Sequence, residues 1–269
     1  MISITKLYND TITVNFDPLA RNRYLIAETG RSPVGVTTVL DTLSKPALMM
    51  WPMNEYDKYV RQFVQSGVPV DEPMLNEALH AYLIKGDTGK DVGKRVHGAI
   101  ESHLKGEHLD IPDDIQKPYK AFLGWVDKFK PEVLSIEKIV YSKANDYAGT
   151  FDAILRINGE VVLCDWKTTN ASRTAPLGIY SEHFLQLGGY NLAYREEKFT
   201  RLHKELGHNY ADEYPTDLMV IRVGKEGVVN TLRASELGLT VRECEVKFLE
   251  VLKLYKMLAP LSKLIKEGI

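Results

Sequence analysis

Cysteine is scarce in this chain, since Cys164 and Cys244 are the only two among 269 residues. Two thiols cannot form a disulfide framework, and they exclude a four-thiolate zinc or iron-sulfur site supplied by this chain alone. We therefore expect no iron-sulfur cluster. The low cysteine content also favours a reducing, cytoplasmic setting.

Long apolar runs are missing as well. No stretch reaches the roughly 18 apolar residues that a membrane-spanning helix needs, and the N-terminal MISITKLYND lacks the apolar core of a signal peptide. We expect a soluble protein with no membrane partner. The formal charge of -2 excludes no partner, because binding to a polyanion depends on the local distribution of lysine and arginine.

Apolar residues make up 44% of the chain, which is enough for a sizeable core. We predict a single domain over residues 1–269 with three parts: an N-terminal accessory region (1–85), a core (86–233) and a C-terminal helical extension (234–269). Within the accessory region, residues 36–40 are predicted as a strand. A helix starting near Ser44 is expected to end at Pro52, and Asn54 would cap the next helix.

The core pattern predicts an α/β (α+β) protein. A helix over residues 113–130 is followed by strands over 134–141, 147–157 and 160–167, a helix over 181–197, and strands over 218–223 and 228–232. A polar stretch over residues 85–89 precedes a helical segment that contains His97. Thr240 and Glu243 have the spacing of a capping box, which predicts the start of a C-terminal helix.

Two carboxylates fall at matched positions around a predicted hairpin turn. Asn158-Gly159 is a strong two-residue turn signal. If Ile157 faces Glu160 across that turn, Asp152 faces Asp165 unless a bulge intervenes. Lys167 then points to the same side of the sheet as Asp165.

Opposed carboxylates need a compensating cation. Lys167 can supply part of the charge, and a divalent ion such as Mg²⁺, which prefers oxygen ligands, can supply the rest. Such an ion polarises a phosphoryl oxygen and activates water, so phosphodiester hydrolysis suits this set of groups. The alternative is a structural salt-bridge cluster on a solvated hairpin, but the register and the turn favour a site.

Asp152 followed by Asp165-x-Lys167 on a hairpin resembles the PD-(D/E)XK nuclease superfamily, and within it the RecB-like exonuclease branch. Three further motifs share the resemblance and appear in the same order. They are Gly93-x-x-x-His97, Gly149-x-x-Asp152 and Gln186-x-x-x-Tyr190. The similar region runs from about residue 89 to about residue 223, which is half the chain.

The resemblance implies a restriction-endonuclease-like αβββαβ core, in which a central mixed sheet is flanked by helices, with N-terminal strands and a helix and a C-terminal helix added to it. It also implies roles for individual residues. His97, Asp152, Asp165 and the main-chain carbonyl of Trp166 would hold Mg²⁺ or Mn²⁺. Lys167 would be the catalytic lysine, together with the catalytic carboxylates Asp152 and Asp165. Gln186 and Tyr190 would contact DNA.

Several of these residues have a second interpretation. A lone histidine such as His97 is more often structural, and Gln186 with Tyr190 at i and i+4 could be a helix-packing contact. Glu101 could orient the His97 imidazole, bind a second ion or simply be solvated. Five basic residues near the predicted site in sequence could contact phosphates: Lys143, Arg156, Arg173, Lys198 and Arg201.

The resemblance implies a metal-dependent exonuclease that hydrolyses phosphodiester bonds at DNA ends, in recombination, repair or phage genome processing. Its DNA partner would be DNA ends or single-stranded DNA. Two alternatives stay open: a structure-specific or restriction-like endonuclease, and a non-catalytic module that binds DNA ends. Residues 36–40 and Lys45-Pro46-Ala47-Leu48 with Trp51 resemble the N-terminal segment of phage-encoded members. A single-strand-annealing or single-strand-binding protein is a candidate partner.

Overall fold

The computed structural model describes residues 2–44, 46–169, 178–202 and 214–267. The fold is mixed α/β: a six-stranded mixed sheet has helices packed against both of its faces. This architecture confirms the predicted α/β (α+β) class. In the described part of the chain, no helix has the length and apolar character that crossing a membrane requires.

The chain begins with a small antiparallel sheet of three strands: β1 (Ser3–Leu7), β2 (Ile12–Phe16) and β3 (Tyr24–Ile26). Leu7 and Val14 are buried in a cluster that also includes Ile139 and Tyr141 of the main sheet. The small sheet is therefore packed against the larger one through an apolar interface.

The predicted strand over residues 36–40 is wrong. A two-residue strand, β4 (Val34–Gly35), leads directly into a short helix, α1 (Val36–Leu40). The helix buries Val36, Val39 and Leu40 on one face, at i, i+3 and i+4. Burial of that face in the core outweighs the strand preference of β-branched residues.

Pro52 does not end a helix, and Asn54 does not cap one, so both predictions are wrong. One helix, α2 (Pro46–Ser66), continues through Pro52 and packs along α3 (Glu72–Leu104). Because most helical stability comes from tertiary packing, this contact can offset the hydrogen bond that proline removes. The polar stretch over residues 85–89 is part of α3, which begins at the Asp71 cap and crosses the predicted boundary at residue 85.

The remaining elements follow the predicted order. After a 3₁₀ turn (Asp113–Ile115) they are α4 (Gln116–Phe129), β5 (Glu132–Ser142), β6 (Tyr147–Ile157), β7 (Glu160–Thr169), α5 (Ser181–Leu202), β8 (Asp217–Gly224), β9 (Val228–Arg233) and α6 (Val241–Glu267). The sheet order is β4-β6-β7-β8-β9, and β5 also pairs with β6. β4 pairs with β6 and β7 with β8 in parallel, and the other pairs among the described strands are antiparallel.

Side chains from the sheet alternate between two separate cores. On one face, Leu163 and Val220 pack against α5 and α6. On the other, Cys164 and Ile221 pack against α3 and α4. Since both faces are covered, a polar side chain on the central strand β7 lies between helices and not in open solvent.

The predicted capping box of α6 is confirmed. Thr240 N donates to Glu243 Oε2 at 2.8 Å, and Glu243 N donates back to Thr240 Oγ1 at 3.2 Å. This reciprocal pair satisfies main-chain donors that a helix start leaves unpaired.

Candidate active site

The β6–β7 hairpin has the predicted register over most of its length. Asn158 and Gly159 form the turn with φ values of +53° and +86°. Regular pairs then run from Ile157–Glu160 to Ala153–Cys164. The register is therefore confirmed up to one residue before the two aspartates.

The pairing is interrupted at Asp152, which corrects the expectation that Asp152 and Asp165 face each other within a continuous ladder. The β6–β7 ladder ends at Ala153–Cys164. On the other side of β6, the pairs that flank Asp152 place Glu137 opposite it without pairing the two residues, and Glu137 has a φ of +46°. An irregularity of this kind redirects side chains and is common beside active sites.

The main chain of Trp166 joins two of the predicted site residues. Its N–H donates to Asp152 Oδ2 at 2.7 Å, in place of a strand partner. Its carbonyl oxygen lies 2.8 Å from His97 Nε2, which is also 3.6 Å from Asp152 Oδ2. The indole ring packs edge-on against Phe122 and Trp125, which holds this part of β7 in place.

Gly93 explains how His97 reaches the strand. A methyl group at Gly93 would lie 2.7 Å from Thr168 Oγ1, closer than real side chains approach. Helix α3 therefore lies so close to β7 that a larger residue at Gly93 would require the Thr168 side chain to move. His97, one helical turn further on, is thereby brought to the Trp166 carbonyl.

Asp165 and Lys167 form a second group on the α5 side of the sheet. Lys167 Nζ is 2.7 Å from Asp165 Oδ2 and donates to Gln186 Oε1 at 3.1 Å. Gln186 Nε2 contacts Asp165 Oδ1 at 3.3 Å and donates to the Tyr190 hydroxyl at 2.8 Å. Gln186 and Tyr190 are only 9% and 4% exposed, so their contacts in the structure are with the site itself. Their predicted contact with DNA stays a prediction.

Two glycine features position α5. A methyl group at Gly149 on β6 would lie 2.3 Å from the Tyr190 ring, so the glycine gives Tyr190 its place over the strand. A methyl group at Gly188 would lie 2.5 Å from the main chain of Cys244. The close approach at Gly188 is therefore to helix α6, which fixes α5 and with it Gln186.

Glu137 is a site residue that the sequence interpretation missed. Ligand atoms of His97, Glu137 and Asp152 all lie within 4.8 Å of one another. Asp165, which the resemblance placed in this group, is not part of it and contacts Lys167 instead. The sequence around Glu137 gives no clear signal, because β5 contains other polar residues, and only the pairing of β5 with β6 shows that Glu137 faces Asp152.

The pKa values record the repulsion among these acids. Burial, followed by the charge of Asp165, raises the pKa of Asp152 from 3.8 to about 6. Burial, followed by the charge of Asp152, raises the pKa of Glu137 from 4.5 to about 7. Burial disfavours the charged form of His97, but the Asp152 carboxylate and the Trp166 carbonyl outweigh it and raise the His97 pKa. A cation placed among these groups would relieve the repulsion.

Lys167 favours its cationic form although it is half-buried. Burial alone would lower its pKa, but the charges of Asp165 and Asp152 outweigh that effect and raise the pKa. Lys167 therefore offers a fixed positive charge at the side of the acidic group.

Other candidate residues lie at the margin of the site or beyond it. The Glu101 carboxylate accepts a hydrogen bond from the Lys105 ammonium. The charge of Glu101 also helps to raise the pKa of Glu137. Arg156 pairs with Glu132 at 2.9 Å, near the turn end of the hairpin. The ammonium of Lys198 lies over the Tyr194 ring. Arg173 and the side chain of Arg201 lie outside the described residues.

An imidazole, two carboxylates and a main-chain carbonyl form a set of donors that suits a divalent cation. The carboxylates are partly buried, mutually repelling and close to a permanently charged lysine. The arrangement can therefore hold a metal ion and neutralise further negative charge beside it.

Comparisons with known proteins add little to this geometry. No family model matches the chain, and no curated protein matches it. A solved structure described as the crystal structure of SSO0001 is 14% identical, with a TM-score of 0.29, and the match covers 79% of this chain and 83% of that one.

Proposed function

We propose that this protein is a metal-dependent DNA exonuclease of the PD-(D/E)XK type, related to the RecB-like branch. The observation that carries the proposal is the interruption of strand pairing at Asp152. It brings His97, Glu137 and Asp152 within 4.8 Å of one another, next to the Asp165–Lys167 pair. A purely structural salt bridge does not need an irregular strand, a left-handed glutamate and a half-buried histidine in one place.

The order of elements supports the same proposal. A helix, the three strands β5, β6 and β7, the helix α5 and the strand β8 follow one another as an αβββαβ core requires. The carboxylates and the lysine lie on the central strands β6 and β7, and Gln186 and Tyr190 lie on the helix that follows.

His97, Glu137 and Asp152 would hold Mg²⁺ or Mn²⁺, with the Trp166 carbonyl as a further ligand, and Asp165 would hold Lys167 beside them. When bound, such an ion supplies Lewis-acid activation of the phosphodiester and of water. The protein provides the rigid frame for these ligands, because Asp152 and His97 are both bonded to the main chain of Trp166.

Lys167 would stabilise the negative charge that develops on the phosphate or orient the attacking water. The charges of Asp165 and Asp152 raise its pKa, which favours the ammonium form and suits the side chain to stabilising negative charge. The amide oxygen of Gln186 accepts from the Lys167 ammonium, and the amide nitrogen of Gln186 contacts Asp165. Gln186 is therefore a positioning residue for both side chains. Tyr190 fixes the orientation of that amide.

The test is digestion of linear double-stranded DNA and of covalently closed circular DNA with Mg²⁺ or Mn²⁺, with and without EDTA. An exonuclease shortens the linear molecule, releases mononucleotides or short oligonucleotides and leaves the circle intact. Cutting of the circle would identify an endonuclease instead. Metal-independent binding to ends without cleavage would identify a non-catalytic module.

A further inference from the structure

A basic cavity of about 440 Å³ lies beside the candidate active site and contains none of its candidate metal ligands or catalytic side chains. Its lining residues come from α2, α3, the end of β7 and the turn after β8: Trp51, Gly86, Gly89, Lys90, Gly93, Lys94, Thr168, Thr169 and Lys225. It therefore combines three lysines, one aromatic ring and three glycines.

The cavity is next to the site along two elements at once. Thr168 directly follows Lys167 on β7, and Gly93 precedes His97 by one turn of α3. A polymer that crosses the site along these two elements would continue into this cavity. A phosphodiester chain is such a polymer.

The charge of the cavity is available to a ligand. Lys90 pairs only weakly with Asp87, at 3.4 Å between two exposed side chains. In the described part of the chain, Lys94 and Lys225 form no ion pair with a carboxylate. Free ammonium groups grouped in this way attract phosphate oxygens.

The wall formed by Trp51 has the character of a stacking surface. The indole is half-buried, and its ring edge would be 3.2 Å from a methyl group placed at Gly86. Glycine at that position therefore allows the ring to lie close against α3. A ring held beside lysines in a cavity of this size matches the dimensions of one nucleotide, with its base on the ring and its phosphate on the lysines.

We propose that this cavity binds a nucleotide of an unpaired nucleic-acid strand next to the phosphodiester that is cut, with Trp51 stacking on the base and Lys94 and Lys225 contacting phosphate. The proposal rests on the proposed nuclease function and defines its substrate as a single strand at the point of cutting. An unpaired strand is required because a base inside a duplex has both faces covered and cannot stack on a side chain.

Binding of a 12-nucleotide oligothymidylate in EDTA, followed by tryptophan emission, tests the proposal. Trp51 is half-buried, whereas Trp125 and Trp166 are 5% and 3% exposed, so quenching on binding reports chiefly on Trp51. We expect quenching in the wild type and its loss in Trp51→Phe, which retains much of the affinity. Trp51→Ala should weaken binding about tenfold. Lys94→Ala should reduce the slope of log affinity against log salt by about 0.7.

The matched control is Lys6→Ala, an exposed lysine on the small sheet, which should bind as the wild type does. Equal binding by Lys94→Ala, Trp51→Ala and Lys6→Ala would overturn the proposal, as would equal or tighter binding of a blunt duplex of the same length. Because binding is measured without metal, an inactive wild type would count against the nuclease function and not against this cavity.

Discussion

The two ends of the β6–β7 hairpin are built from the same two strands but differ in order and in charge. At the turn end, five consecutive residue pairs are regular, and the side chains between the helices are apolar. At the open end, pairing stops at Asp152, and Asp152, Asp165 and Lys167 replace the apolar side chains. The like-charged carboxylates Asp152 and Asp165 are therefore at one end, where bonds from outside the β6–β7 ladder hold them.

The two ends also differ in how far they depend on distant parts of the chain. The turn end needs only Asn158 and Gly159 at positive φ and apolar packing, which are local properties. The open end needs α3, α5 and β5 to arrive at defined distances, as Gly93, Gly149 and Glu137 show. If the proposal is correct, changes at the open end should alter activity and metal binding, and matched changes at the turn end should alter neither.

The largest effect is expected from Lys167→Ala and Asp165→Asn. Each should lower kcat for DNA hydrolysis by on the order of 10³-fold, because it removes charge stabilisation or disturbs the ammonium that provides it. Steady-state release of acid-soluble nucleotides measures this. Glu160→Gln, at the turn end, is the control and should retain wild-type turnover. Wild-type turnover in Lys167→Ala would show that Lys167 has no catalytic role.

Gln186→Ala should lower kcat by about 10- to 100-fold, because the amide positions both Lys167 and Asp165. Since Gln186 does not touch the group of His97, Glu137 and Asp152, Mn²⁺ affinity measured by calorimetry should be unchanged. A merely structural role would lower the melting temperature and the metal affinity together. Unchanged kcat with a normal melting temperature would contradict a positioning role.

Glu137→Gln should weaken Mn²⁺ binding about tenfold while making the metal-free protein more stable at pH 8. The carboxylate is a ligand in the proposal, and without metal it is a partly buried charge that faces Asp152. Removing about 1 kcal/mol of repulsion would raise the melting temperature by about 2–4 °C. Calorimetry and thermal unfolding measure the two effects. Unaltered metal affinity would exclude Glu137 from the site.

The smallest effect is a pH dependence of metal stabilisation. Glu137 titrates at about 7 when folded, against 4.5 for its ordinary value, so the folded protein binds more protons between these limits. Without metal, the contribution of Glu137 to the free energy of unfolding is fully present below about pH 4.5 and is lost as pH rises through about 7. Asp152 acts in the same direction up to about pH 6.

Protons compete with metal for these carboxylates. Mn²⁺ at about 1 mM should therefore raise the melting temperature more at about pH 8 than at about pH 5.5. Thermal unfolding with and without the ion at both pH values gives the comparison. In Glu137→Gln the difference between the two pH values should shrink. An equal shift at both pH values would show that these groups do not bind the ion.

The sequence was most informative where the determinants are local. The Asn158-Gly159 turn, the register up to Ala153–Cys164 and the Thr240–Glu243 capping box depend on neighbouring residues and were predicted. The helix over Val36–Leu40 and the continuation of α2 through Pro52 were missed, because packing against distant elements decides both. Local propensity carries no information about those contacts.

The candidate site shows the same division. Spacing on the hairpin identified Asp152, Asp165 and Lys167, and the resemblance added His97, Gln186 and Tyr190. Glu137 could not be found in this way, because its place depends on the pairing of β5 with β6 and on its left-handed backbone conformation. The cavity at Trp51 was not predictable for a similar reason, since four separate elements form its wall.

The most direct test of the nuclease proposal is the release of label from linear DNA labelled at its 5′ or 3′ end, with Mg²⁺ or Mn²⁺ and with EDTA. The account predicts metal-dependent release from one end before the other, abolished by EDTA and absent in Lys167→Ala. No release by the folded wild-type protein under any divalent ion, or release that persists in EDTA, would contradict it.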